Sequence, residues 1–133
     1  MRRATTNSSG QALVETTMVL VLLICLVGAI LEFGTLFRAY ITITAAARQG
    51  ARVAAVGGTD AVIAQSVRNS CVSLDAGRLS VSTSPAEALR ERGTDATVHV
   101  AYAAPLVFPI IGLILPDPFV LRARMIMRVE QSP

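Results

Sequence analysis

Apolar positions are continuous near the start of the chain and alternate further on. Residues 16–31 carry no charge, and every residue from 18 to 31 is apolar or glycine. A carboxylate stands at each border of this run, Glu15 before it and Glu32 after it. At 1.5 Å of rise per residue, the uncharged run covers about 24 Å as a helix, somewhat less than a bilayer core of ~30 Å. Residues 12–14 extend it backwards past Glu15, and residues 33–37 extend it forwards past Glu32. The helical pattern also continues. No proline occurs before Pro85, and the first glycine pair is Gly57-Gly58. The spacing predicts one helix from about residue 11 to residue 56, roughly 69 Å long. Phe33, Phe37, Tyr40 and Thr44 lie on one stripe of it. Ala46, Gly50 and Ala54 are four apart, as are Ala47, Ala51 and Ala55. Small residues at that spacing admit another backbone closely. Either a second long helix or a sheet of the same chain could fill that face.

The remainder predicts a small α+β head. Thr59 is placed to cap a second helix, with Ile63, Val67 and Cys71 as its buried stripe. Asp75-Ala76-Gly77 reads as a turn. Three segments then alternate with period two. These are Leu79, Val81 and Thr83; then Val98, Val100 and Tyr102; then Phe119, Leu121, Ala123, Met125, Met127 and Val129. The last strand puts Arg122, Arg124 and Arg128 on its outer face. The expected fold is a long membrane and stalk helix, a second short helix and an antiparallel sheet of about three strands. A charged excursion fills residues 85–93. An apolar loop broken by four prolines fills residues 105–118. It is too short and too broken to span a bilayer. It reads as a cover over the sheet, a lip against the membrane-facing surface, or a contact with another subunit.

Composition narrows the function. Hydrophobic residues make up 53% of the 133 and charged residues 16%. The net charge of +3 is spread over scattered arginines, with no basic and aromatic stripe for nucleic acid. Cys25 sits in the apolar run and Cys71 in the second helix, so a bond between them is not expected. His99 is the single histidine and falls mid-strand. No nucleophile pair, metal cluster or phosphate-binding loop is evident. The expectation is a protein that is not an enzyme and uses no cofactor or metal. Arg2 and Arg3 precede the span, while Arg38, Arg48 and Arg52 follow it, so the charge count does not orient it. The short leader and the bulk of chain beyond the span place the N-terminus inside and the head outside the cytoplasmic membrane.

Glu15 is the anomaly. A carboxylate at the centre of a span costs about 2.5–3.5 kcal/mol and less near an end. A helix N-terminus offsets ~0.3–1 kcal/mol of that. Were the chain cut between Gly10 and Gln11, the new amino group would stand four residues before Glu15, on the same helix face. It could equally meet the Glu15 of a neighbouring subunit and fix the axial offset between packed helices. A water-facing Glu15 at the interface is the plain alternative.

Gly10 followed by Gln11, Ala12, Leu13, Val14 and Glu15 resembles the prepilin-peptidase site of type IV pilins. The wider run "GQALVETTMVLVLLICLVGAILEFGTLFRAYITITAAARQGARVAAVGG" resembles the N-terminal region of TadE-like minor pseudopilins of the tight-adherence (Flp) pilus system. Thr16 stands where such proteins often carry an aromatic residue. The resemblance implies cleavage after Gly10 by a prepilin peptidase and assembly with a pilus. Its implied partners are other pilins or minor pseudopilins, the pilus assembly platform and the lipid bilayer. It divides the chain into a leader (1–10), a transmembrane and stalk helix (11–58) and an extracytoplasmic head (59–133). Glu15 and Glu32 are the expected register residues. Glu32, about 25 Å above Glu15, is the expected exit from the bilayer. Ala46, Ala47, Gly50, Ala51 and Ala54 are the expected helix-packing residues. The competing expectation is an uncleaved, single-pass anchored module whose head binds an extracytoplasmic ligand.

Overall fold

The computed structural model describes residues 8–130. Residues 1–7 of the expected leader, with Arg2 and Arg3, lie outside the described residues. One helix, α1 (Ser8–Ala55), runs for 48 residues, about 72 Å. Nothing interrupts it, because it contains no proline and its threonines bond within it. Thr16 and Thr17 donate to the carbonyls of Ala12 and Leu13, each at 2.8 Å. Thr42 and Thr44 do the same higher up. These bonds satisfy the hydroxyls within the helix itself.

The helix stops at a glycine pair for a stereochemical reason. Gly57 takes φ +81°, a left-handed value open to glycine without strain. The Gly58 and Gly57 amides then donate to the carbonyls of Val53 and Ala54 at 2.9 and 3.2 Å. This pair of bonds closes the end of the helix in a Schellman motif. The returning chain caps it further, as Glu130 N–H donates to the Ala55 carbonyl at 2.7 Å.

The second helix, α2 (Asp60–Ser70), packs beside the upper part of α1, with Ile63 and Val67 buried. Thr59 caps it by accepting from Val62 N–H at 3.4 Å. Three strands follow, β1 (Leu79–Ser84), β2 (Asp95–Ala104) and β3 (Phe119–Arg128). They form one antiparallel sheet in the order β1-β2-β3. In its register Val81 faces Val100, and Val100 faces Ala123. The inner face buries Val98, Val100, Tyr102 and Ala123 against the two helices. The outer face leaves Ser80, Ser82, His99, Arg122 and Arg124 exposed. The expected α+β architecture and three alternating strands are those observed.

The head is built on α1 and cannot be separated from it. Ile43, Ala46, Ala47, Gly50, Ala51 and Ala54 all lie in the same core as Ile63, Val67, Val98 and Val129. Each fully buried Val or Ile contributes about 1.5–3 kcal/mol. Gly50 is where the layers approach most closely. A Cβ there would sit 2.7 Å from Val67 Cγ2 and 3.3 Å from Val98 Cγ1.

Gly50→Leu is expected to destabilise the head by about 1–3 kcal/mol, read as a lower denaturant midpoint of the full chain in detergent. A second expectation concerns Cys71, whose thiol burial pushes up from its ordinary range. The folded head then keeps a proton that the unfolded chain releases in alkali. Head stability should therefore be intact below the ordinary thiol range and fall as pH climbs through it and beyond. Denaturant titration of the head across that range reads this directly.

Candidate functional site

The lower half of α1 is bare. Leu13, Met18, Leu22, Val27 and Leu31 are all exposed. The helix is long and apolar enough to cross a membrane. Gly10, Gln11, Val14, Glu15, Met18 and Val19 form one shallow groove near its start. The helix already runs at Ser8, so Glu15 lies about two turns in, beyond the reach of the first-turn dipole. A cut after Gly10 would leave it only about one turn from the new N-terminus. Among the described residues the Glu15 carboxylate has no hydrogen-bond or ion-pair partner.

Glu32 has a different setting. Its side chain is only 3% exposed, although it projects from a helix whose neighbours are bare. The residues that cover it come from the loop between β2 and β3. Val107 N–H donates to Glu32 Oε1 and Oε2 at 3.2 and 3.0 Å, and Phe108 N–H donates to Oε2 at 2.8 Å. One turn lower, Phe108 lays its ring over Gly28, where a Cβ would fall 2.4 Å from a ring carbon. The 105–118 loop therefore turns down along α1 and leaves the outer face of the sheet open. Glycine at 28 and carboxylate at 32 together make its seat. Of the three readings of this loop, the cover over the sheet is not what the structure has, and the loop's partner at Glu32 has no signal in the sequence, since 75 residues separate Glu32 from Val107.

The expected helix-packing residues are all engaged inside the chain. Ala46, Ala47, Ala51 and Ala54 are buried in the head together with Gly50. Those faces are filled by α2 and the sheet, and they leave no room for a second long helix.

A second polar lock sits at the far end of the head. Arg90 is 2% exposed, and its guanidinium donates to the Gly58 carbonyl at 3.0 Å and to the Asp60 carboxylate. Glu87 accepts from the Asp60 amide at 3.0 Å. These bonds pin the charged excursion onto the α1–α2 turn. The sequence offers no signal that singles out Arg90 from Arg92 beside it. Among the described residues no three His, Cys, Asp or Glu side chains gather as a metal-binding group.

Glu32→Ala is expected to release the loop. Hydrogen bonds to a charged acceptor are worth ~1.5–3 kcal/mol each. The variant in detergent should become open to thermolysin at the Leu106–Val107 bond, beside the clasped amides, while the parent resists. An unchanged cleavage pattern would mean that the carboxylate does not hold the loop.

The model of the family described as TadE-like protein matches residues 10–52. The match begins on Gly10, takes in Glu15 and Glu32, and ends within the head-wrapped part of α1. No curated protein and no solved structure matches the chain. Over residues 10–52, within α1, the chain is similar to TadE-like proteins.

Proposed function

We propose that the chain is a pseudopilin-like structural subunit, cut after Gly10 by a prepilin peptidase and needed to assemble a tight-adherence pilus or a related secretion apparatus. The observation that carries this reading is a carboxylate without a described partner, two turns into a bare apolar helix, five residues after the glycine on which the family match begins. A bare helix of this kind requires lipid or other helices around it, since its exposed Leu, Ile and Val side chains are costly in water. The chain sits in the cytoplasmic membrane with its N-terminus inside and its head beyond the outer surface. Its chemistry is physical and non-catalytic. The apolar half of α1 leaves lipid for contacts with other pilins, minor pseudopilins and the assembly platform. The new amino group at Gln11 neutralises a Glu15 carboxylate, its own or a neighbour's, and sets the axial register. The head-wrapped half of α1 stays folded throughout, so the subunit moves as one rigid piece with an apolar tail.

Glu15→Gln tests this, because it keeps the shape and removes the charge. The variant is expected to insert and fold normally, with pilus assembly lost in cells that carry it as the sole copy. Normal assembly would make Glu15 incidental and favour the uncleaved anchored module.

A further inference from the structure

We infer that the 105–118 loop is a membrane-seated lip, inserted in the head-side leaflet against α1, and that it lets the hydrophobic span continue past Glu32. The inference rests on α1 spanning the bilayer, as in the function proposed above. Its first support is depth. Phe108 lies on Gly28, which belongs to the uncharged run of residues 16–31. Gly28 is four residues below Glu32, about 6 Å along the axis. Any placement of α1 that puts this run in hydrocarbon carries Phe108 into the same layer.

The second support is length. Residues 16–31 are short for a bilayer core, but residues 16–37 would cover about 33 Å, against a core of ~30 Å. Glu32 is the one charge in that longer stretch, and it is hidden beneath the loop. Above it, Thr35 donates its hydroxyl to the Glu32 carbonyl at 2.8 Å. Phe33 and Phe37 are exposed and stacked, with ring centroids 6.1 Å apart. Arg38 is the first exposed charge, on a side chain long enough to reach up to the headgroups.

The third support is the loop's own backbone. Irregular backbone at membrane depth must have its polar groups satisfied within the protein. Val107 and Phe108 donate to Glu32. The amides of Ile111, Leu113, Ile114 and Leu115 donate to carbonyls of Phe108, Ile110 and Ile111 at 2.9–3.3 Å. Prolines at 105, 109, 116 and 118 have no N–H to satisfy. The loop's one charge, the exposed Asp117, stands next to the start of β3. The side chains that remain outward are apolar up to Pro116: Leu113 is 86% exposed, Ile114 81% and Val107 74%. They continue the bare surface of α1, so the occupant that covers the helix also covers the lip. That occupant is acyl chain. Glu32 thus acts as an acceptor that hides its own charge while satisfying two loop donors.

The chain has no tryptophan, so single-tryptophan variants report cleanly. Leu113→Trp, Leu22→Trp and Leu89→Trp place the reporter on the lip, in mid-span and at the far end of the head. Each full-length variant is reconstituted in phosphatidylcholine vesicles with or without bromine on the acyl chains. The lip predicts strong bromine quenching and blue-shifted emission at positions 22 and 113, and neither at 89. Iodide quenching in place of bromine quenching at 113, with 22 still quenched by lipid, would overturn the lip and leave the span intact. Insensitivity of 113 to both quenchers would also overturn it, and would indicate a second copy packed there. Loss of bromine quenching at 22 as well would overturn the lip together with the span on which it rests.

Discussion

The structure depends on one constraint: α1 is longer than the head can cover. A head of one short helix and three strands wraps the upper part of the helix and leaves the lower part bare. The covered part is rich in Ala and Gly because α2 and the sheet must approach its backbone closely. The bare part is rich in Leu, Ile and Val because nothing in the chain competes for its surface. A single continuous helix therefore serves as the core of the head above and is long and apolar enough to cross a membrane below. The transition between the two uses falls at Gly28 and Glu32, where the β2–β3 loop reaches down.

On the proposed function, this division limits how the subunit can associate. The small-residue ladders of residues 46–54 are already occupied, so a neighbouring subunit has to use the bare lower half or the exposed stripe of Phe33, Phe37 and Tyr40. On the proposed function, subunit packing is carried by the anchor while the head keeps its shape. The two polar locks agree with that. Glu32 ties the loop to α1 at one end of the head, and Arg90 ties the charged excursion to Gly58 and Asp60 at the other.

Most of the fold was legible because its signals are local. Alternation in β2 and β3 identifies their buried faces residue by residue, and Val98, Val100 and Tyr102 lie inward as their period requires. Gly57-Gly58 marks the end of α1 because only a short list of residues adopts the geometry needed there. Thr59 is legible as a cap for the same reason. The spacing of Gly10 and Glu15 is likewise written in consecutive residues. The Glu32 clasp is of another kind. A glutamate at the border of an apolar run reads as a membrane exit, and no local pattern shows that a proline-rich loop 75 residues later will donate two amides to it. Arg90 was hidden in the same way, within a charged excursion that gives no sign of which charge is buried. In both cases the interaction exists only once the sheet has brought distant segments to opposite ends of one helix.

The central claim is that the bare helix is a processed, pilin-type start and not a plain anchor. The most direct measurement is the intact mass of the protein extracted from membranes of cells with and without the prepilin peptidase. The account predicts a mature chain beginning at Gln11 that appears only where the peptidase is present. A full-length chain in both strains would contradict it and leave an uncleaved anchored module.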